Sequence, residues 1–283
     1  IKGSANLQSE KLGQLMAEGT VGKQWKMGSQ LELKFDVDRL SKASALLQFF
    51  LPEDVPLTLQ GDVPLQAQAT VRTDGEMLQV TELKVKSGRN DISGEISYPL
   101  NVSDNNRQNI DGRLVSGYFN LNDLFPKKEK KYLFGNEKIP LTWVDRYDVD
   151  LEYSVGHLLR RNYEITDATA LLTSLDGQVN IRVQGISAGG DLEVQLDLDT
   201  QVDPHPANYA YDWRHLDLDL LPVALKGNRD ISGSLSTRGY ISGSGRSLHE
   251  IAQSGNGYLF TELEGIKFPR GREELLTTTP LSI

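Results

Sequence analysis

Asp191-Leu192-Glu193-Val194-Gln195-Leu196-Asp197-Leu198-Asp199 alternates apolar and polar side chains without a break. A period of two is the mark of a β-strand, so Leu192, Val194, Leu196 and Leu198 share one face and the acids share the other. The rule extends outward on both sides. Val179, Ile181 and Val183 alternate with Asn180 and Arg182, and Leu216, Leu218 and Leu220 alternate with Asp217 and Asp219. A sheet built from such strands must cover its apolar face with a second sheet, a helix, a membrane or a ligand.

Upstream, the same pattern gives strands at Leu31 to Val37, at Val63 to Val71, at Leu83 and Val85, after a turn at Ser87 to Asn90 at Ile92 to Ile96, and from Ile110 to about Asn122. Val149 and Leu151 belong to the strand Tyr147 to Val155. Strands at 162–173, 177–187 and 190–202 follow as a meander, turning at Asp176-Gly177 and Gly189-Gly190, and Tyr258 to Phe268 reads as a last strand. Turn signals every 8 to 14 residues or so predict an antiparallel all-β chain rather than βαβ units. The polar stretch 101–109 predicts an exposed hairpin loop.

Helical spacing interrupts this in three places. Leu12, Leu15 and Met16 predict a short helix from Ser9 to Gly19, and Ala43, Leu46, Leu47 and Phe50 predict another ending before Pro52. Ser247-Leu248-His249-Glu250 is a capping box that starts a third, through Gln253. Residues 127–138 form a connector between an upstream region, 1–126, and a downstream region, 139–283. Two echoes cross it. Gly88-Arg89-Asn90-Asp91-Ile92-Ser93-Gly94 returns as Gly227-Asn228-Arg229-Asp230-Ile231-Ser232-Gly233, and Leu121-Asn122-Asp123-Leu124-Phe125-Pro126 resembles Leu218-Asp219-Leu220-Leu221-Pro222. The chain reads as a loosely spaced β repeat.

Composition narrows the function. The 283 residues carry a net charge of −9, so nucleic acid is excluded as a partner for want of a basic surface. The one basic cluster, Lys127, Lys128, Lys130 and Lys131 around Glu129, reads as a solvated loop, with a lipid-headgroup contact as the sharper alternative. Cysteine is absent, which removes disulfides, thiolate zinc sites and a cysteine nucleophile. No apolar run approaches the roughly 18 to 20 residues of a membrane helix, and no signal peptide is present. Beginning at Ile1 without methionine, the chain reads as a fragment of a longer protein.

Chemistry finds little support. Gly185-Ile186-Ser187-Ala188-Gly189 matches the nucleophile-elbow pattern, but an elbow needs a helix after the serine and here another strand begins. The pairs Asp36/Asp38, Asp148/Asp150, Asp197/Asp199 and Asp217/Asp219 each lie on one strand face opposite leucines, as a solvated outer face would. His157, His205, His215 and His249 lack metal-ligand spacing. The expectation is a non-enzyme without metal or cofactor.

One ordered set of motifs carries a family likeness. Ile139-Pro140-Leu141-Thr142-Trp143, Asp176-Gly177, Gly189-Gly190-Asp191-Leu192, the tail Leu216 to Pro222, Ile231-Ser232-Gly233 and Gly243-x-Gly245-Arg246-Ser247-Leu248 together resemble the C-terminal region of AsmA-like proteins over roughly 139–265. The first half looks like the related upstream repeats. The resemblance implies a Gram-negative cell-envelope protein, anchored in the inner membrane, whose periplasmic part is a hydrophobic-lined β groove implicated in moving phospholipid towards the outer membrane. It carries no catalytic residues.

Periodicity alone leaves a sandwich core and an open groove equally good, and a transmembrane barrel is disfavoured by 7% aromatic content without girdles. With the resemblance, the expected fold is mainly β: an elongated, twisted, antiparallel repeating sheet curled into a hydrophobic groove, with a few short helices. About 14 strands at roughly 4.8 Å would span on the order of 65 Å. The expected ligands are phospholipid acyl chains lying on Leu192, Val194, Leu196 and Leu198, then on Val179, Ile181, Val183, Leu216, Leu218, Val149 and Leu151, with the two membranes or their proteins as partners. The alternative is an assembly factor that adds a strand to an outer-membrane β-barrel protein.

Overall fold

The computed structural model describes residues 2–9, 13–22, 28–39, 63–100, 107–124, 138–139, 141, 143–160, 163–221 and 231–267. They form one open sheet of fourteen strands whose spatial order is their chain order. The upstream strands are β1 (Lys2–Ser9), β2 (Gly13–Thr20), β3 (Ser29–Val37), β4 (Leu65–Thr73), β5 (Met77–Ser87), β6 (Asn90–Pro99) and β7 (Gln108–Asn120). Downstream come β8 (Tyr147–Arg160), β9 (Tyr163–Leu175), β10 (Gln178–Ser187), β11 (Gly190–Asp199), β12 (Pro206–Asp217), β13 (Ser232–Ser244) and β14 (Asn256–Lys267). Two short helices, α1 (Leu121–Leu124) and α2 (Leu248–Ser254), sit at strand ends. β1 and β14 are the ends of an unclosed sheet.

The expected all-β groove architecture is present, with one correction to its antiparallel pattern. β7 and β8 run parallel, Gln108 opposite Tyr147 and Asn120 opposite Leu159. β7 ends at the back edge of the sheet, where α1 begins, and the chain re-enters at Lys138 on the front edge. The sheet is therefore continuous across the stretch read as a connector. Arg107 ties this junction together: its Nε donates to Asp148 at 2.7 Å and its Nη2 donates to the Val144 carbonyl.

A second correction concerns Ser9 to Gly19, which forms no helix among its described residues. Gly13 to Thr20 is β2, with Leu15, Ala17 and Gly19 opposite Phe35, Leu33 and Leu31 of β3. A short helix with three stripe residues buries less than a strand that completes an existing apolar row, so pairing overrides local spacing. The helix expected at 41–50, the basic cluster at 127–131 and most of the 101–109 loop lie outside the described residues; Gln108 and Asn109 already belong to β7.

The third correction is at Leu216 to Leu220. β12 stops at Asp217, and Leu218, Asp219 and Leu220 form a turn closed by the Leu220 N–H on the Asp217 carbonyl. The cause is a β-bulge: the register slips between Trp213 and Leu216, with His215 in the left-handed region at φ 55°. An extra residue re-phases the strand, so Trp213 and Leu216 face the same way although three positions apart. Similar left-handed bulge residues are Glu82 in β5, Asp167 in β9 and Gly265 in β14. Bulges increase local twist and bend, which is how a long sheet coils rather than lying flat.

Candidate functional site

Registers between strands place the apolar side chains in rows that cross the sheet. One row runs Gly19, Leu31, Val71, Val80, Ile96, Gly112, Leu151, Leu172, Ile181, Leu196, Tyr209, Ile241, Gly257, from β2 to β14. The next row back runs Leu114, Tyr153, Ala170, Val183, Val194, Tyr211, Gly239, Leu259 over β7 to β14. Neither contains a charged or amide side chain. Thirteen strands about 4.8 Å apart make the first row on the order of 60 Å long.

Among the described residues no second sheet lies on these rows. Covering is confined to the two long edges. At the front edge, Val144 and Ile251 pack on Val179, Leu198 and Ala207, with Ile139, Leu141 and Trp143 against the same cluster. The segment before β8 is fastened to the strand–helix junction by the Ile139 N–H on the Arg246 carbonyl at 2.9 Å and by a bridge between Lys138 and Ser247. Ser247 caps α2, its Oγ accepting from the Glu250 N–H at 3.2 Å, while the Glu250 carboxylate accepts from the Arg246 N–H at 2.7 Å. The capping box is thus present, its return bond shifted by one residue. At the back edge, Leu216, Leu218 and Leu221 form a cluster with Ala188, Trp213, Ile231, Leu235 and Ile266 packed against it.

These borders sort the residues singled out in the sequence. Val194, Leu196, Val183, Ile181 and Leu151 are half-buried members of the two rows, and Leu192, also half-buried, lies one row further back between Gly185 and Trp213. Val149, Val179 and Leu198 are buried, the last two beneath the front border. Leu216 and Leu218 belong to the back border, Leu218 in the turn rather than in a strand row. The sequence reading did not pick out the aromatic floor formed by Tyr153, Tyr209 and Tyr211. Alternation of Tyr209, Tyr211 and Trp213 with Ala210 and Asp212 was the signal available for it.

Burial holds three phenols on this face above the usual tyrosine range. Burial raises the pKa of Tyr153 and of Tyr209, and burial together with the Tyr147 hydroxyl at 3.0 Å pushes Tyr98 up to about 12. Tyr153 donates to Ser116 Oγ at 2.8 Å, and the Tyr211 hydroxyl lies 3.3 Å from Thr237 Oγ1. A Cβ on Gly239 would sit 2.5 Å from the Tyr211 ring, so glycine is what lets that ring lie across β13.

The opposite face is polar and of mixed charge. Asp36, Asp38 and Asp150 are exposed on it, whereas Asp148 is held by Arg107. Recesses of 390 Å³ beside Lys34, Lys84 and Lys86 and of 530 Å³ beside Asp212, Arg214 and Arg238 open on this face. Among the described residues no cluster of three His, Asp or Glu is placed to hold a metal ion. Ser187 ends β10 in a hairpin, with Ala188 and Gly189 left-handed and its Oγ donating to the Glu164 carbonyl at 2.7 Å; no helix follows it. No described helix is long and apolar enough to cross a membrane.

No protein-family model, no curated protein and no solved structure matches this chain.

Proposed function

We propose that the trough is one section of an intermembrane phospholipid bridge, in which acyl chains lie along the apolar rows and headgroups remain in water. The observation that carries this reading is the unbroken row from Gly19 to Gly257, which crosses thirteen strands with no second layer among the described residues. A side chain row of that length that no described residue covers needs an apolar occupant, and each CH₂ removed from water contributes about 0.8 kcal/mol. Binding then follows chain area more than headgroup identity. A row that is apolar at every strand lets a chain slide without crossing water.

A periplasmic location, an inner-membrane anchor and exchange between the two membranes come with the likeness to AsmA-like proteins, which rests on the order of motifs given above. The role is that of a passive carrier, neither enzyme nor cofactor protein, and without nucleic acid as a partner. The edge of β14, unpaired among the described residues, favours the alternative, strand addition to an outer-membrane β-protein. Native mass spectrometry of the purified chain tests the choice. Co-purifying phospholipid is the expected result; a bound polypeptide without lipid would favour the assembly factor.

A further inference from the structure

β12 lays three aromatic side chains across the trough from front to back: Tyr209 in the first row, Tyr211 in the second and Trp213 in the row behind them. Thr237 of β13 and Thr261 of β14 continue the row of Trp213. Side-chain hydroxyls enter the two apolar rows at only two places, Tyr153 on β8 and the Tyr209–Tyr211 pair on β12.

Those two places use their hydroxyls differently. Tyr153 donates to Ser116 Oγ at 2.8 Å, an ordinary length for two oxygens, and Ser116 is buried, so that pair is complete in itself. Trp213 is also engaged, its Nε1 donating to the Ser187 carbonyl at 3.1 Å. The remaining hydroxyls are not. The Tyr211 and Thr237 oxygens lie 3.3 Å apart and those of Thr237 and Thr261 3.4 Å apart, both longer than the roughly 2.5 to 3.0 Å of a well-made O–H···O bond. Tyr209, 37% exposed to the trough with its ring against that of Tyr211, has no hydrogen-bond partner among the described residues. Hydroxyls on an apolar floor that do not complete one another are completed by the oxygen of an occupant.

Charge decides which oxygen. Neither row holds a cation, and Arg238, between Thr237 and Gly239, is turned to the opposite face, over the Phe260 ring at 4.9 Å from its centroid. Burial raises the pKa of Tyr209, which favours its protonated, donating form. A phosphate or carboxylate on this floor would lose water and gain no counter-charge, whereas a neutral carbonyl would lose little.

We propose that Tyr209, Tyr211 and Thr237 form a seat for the ester carbonyl of a diacyl lipid, holding the glycerol end of the lipid at β12 and β13 while its chains lie along the apolar rows. The seat rests on the reading of the trough as a lipid carrier and adds recognition of the linkage to recognition of chain area. All three residues lie inside the sheet, on strands paired on both sides. A neutral hydrogen bond is weak enough for the lipid to leave again.

Competition between lipids that differ only in that linkage tests the seat. The chain is incubated with vesicles holding equal amounts of diester and diether phosphatidylcholine of one chain length, repurified and read by native mass spectrometry. Bound diester exceeds bound diether by about three- to tenfold, the range of one neutral hydrogen bond. Thr237→Val alone, which changes shape least, lowers that ratio. Combined with Tyr209→Phe and Tyr211→Phe it brings the ratio to about one, with diether uptake and the circular dichroism spectrum unchanged. Tyr153→Phe, which removes a hydroxyl already engaged by Ser116, keeps the preference. Equal uptake of the two lipids by the unaltered chain overturns the seat and leaves the carrier reading standing. So does a preference that survives Thr237→Val and the triple change, or one that Tyr153→Phe abolishes. Uptake of neither lipid overturns the carrier reading and the seat with it.

Discussion

Gly177 shows what a single residue contributes to this sheet. It follows Asp176 in the hairpin between β9 and β10, both left-handed, with φ 79° at the glycine. A Cβ there would sit 3.0 Å from Thr200 Oγ1 and from Gln201 Cγ. Gly177→Ala is expected to cost about 1 to 2 kcal/mol, read as a lower urea midpoint at unchanged slope. This turn was legible because Asp-Gly carries its own conformational preference. The bulge at His215 was not, since nothing local marks a histidine for φ 55°; the Leu216, Leu218, Leu220 alternation consequently suggested a longer strand than the one that forms. Asp203 makes a further residue-level prediction. Its hydrogen bond from Arg246 holds its carboxyl below the usual carboxylate range. A depressed folded-state pKa means the contribution is complete above the unfolded value of about 3.9 and is lost as pH falls through the folded one. Asp203→Asn should therefore remove part of the acid-induced loss of stability below about pH 4, measured by thermal melts in an acid series.

Among the elements, α2 and the turn before β8 matter most, because they wall the front edge. Ile251 and Val144 meet over Val179 and Leu198, and the Ser247 cap fixes where α2 starts. Ser247→Ala is expected to cost about 1 kcal/mol and to increase amide exchange in Leu248 to Ile251 ahead of the strands. The capping box made this helix readable from sequence. β2 was obscured because Leu12, Leu15 and Met16 satisfy a helical spacing, and only the partner row on β3 decides against it. The parallel β7–β8 junction was hidden for a different reason: a long polar, basic stretch reads as a linker whether the flanking strands are neighbours or not, and register is a property of two strands rather than one.

Across the whole molecule, alternation was enough to identify strands and their apolar face, and thirteen junctions then assemble that face into one trough. Which apolar residues remain open was not readable, because the borders are built by residues distant in sequence: Val144 and Ile251 close over Val179, and Leu221 closes beside Leu216. Leu196→Asp probes the trough at a half-buried position in mid-row. In an open trough it leaves the circular dichroism spectrum and the fold intact, whereas in a sealed core a buried unpaired carboxylate would cost several kcal/mol and unfold the chain. The same variant should lose bound lipid in native mass spectra.

The face itself can be interrogated directly. Leu196 and Gln195 are neighbours in β11, one in the apolar row and one on the polar side beside Asp197. A photoreactive benzophenone residue placed at each position in turn, in chain incubated with phosphatidylethanolamine vesicles and then irradiated, reports which side meets acyl chains. Lipid adducts at position 196 and none at 195 are predicted. Equal labelling of the two positions, or none at 196 in folded protein, would contradict an apolar trough that holds lipid.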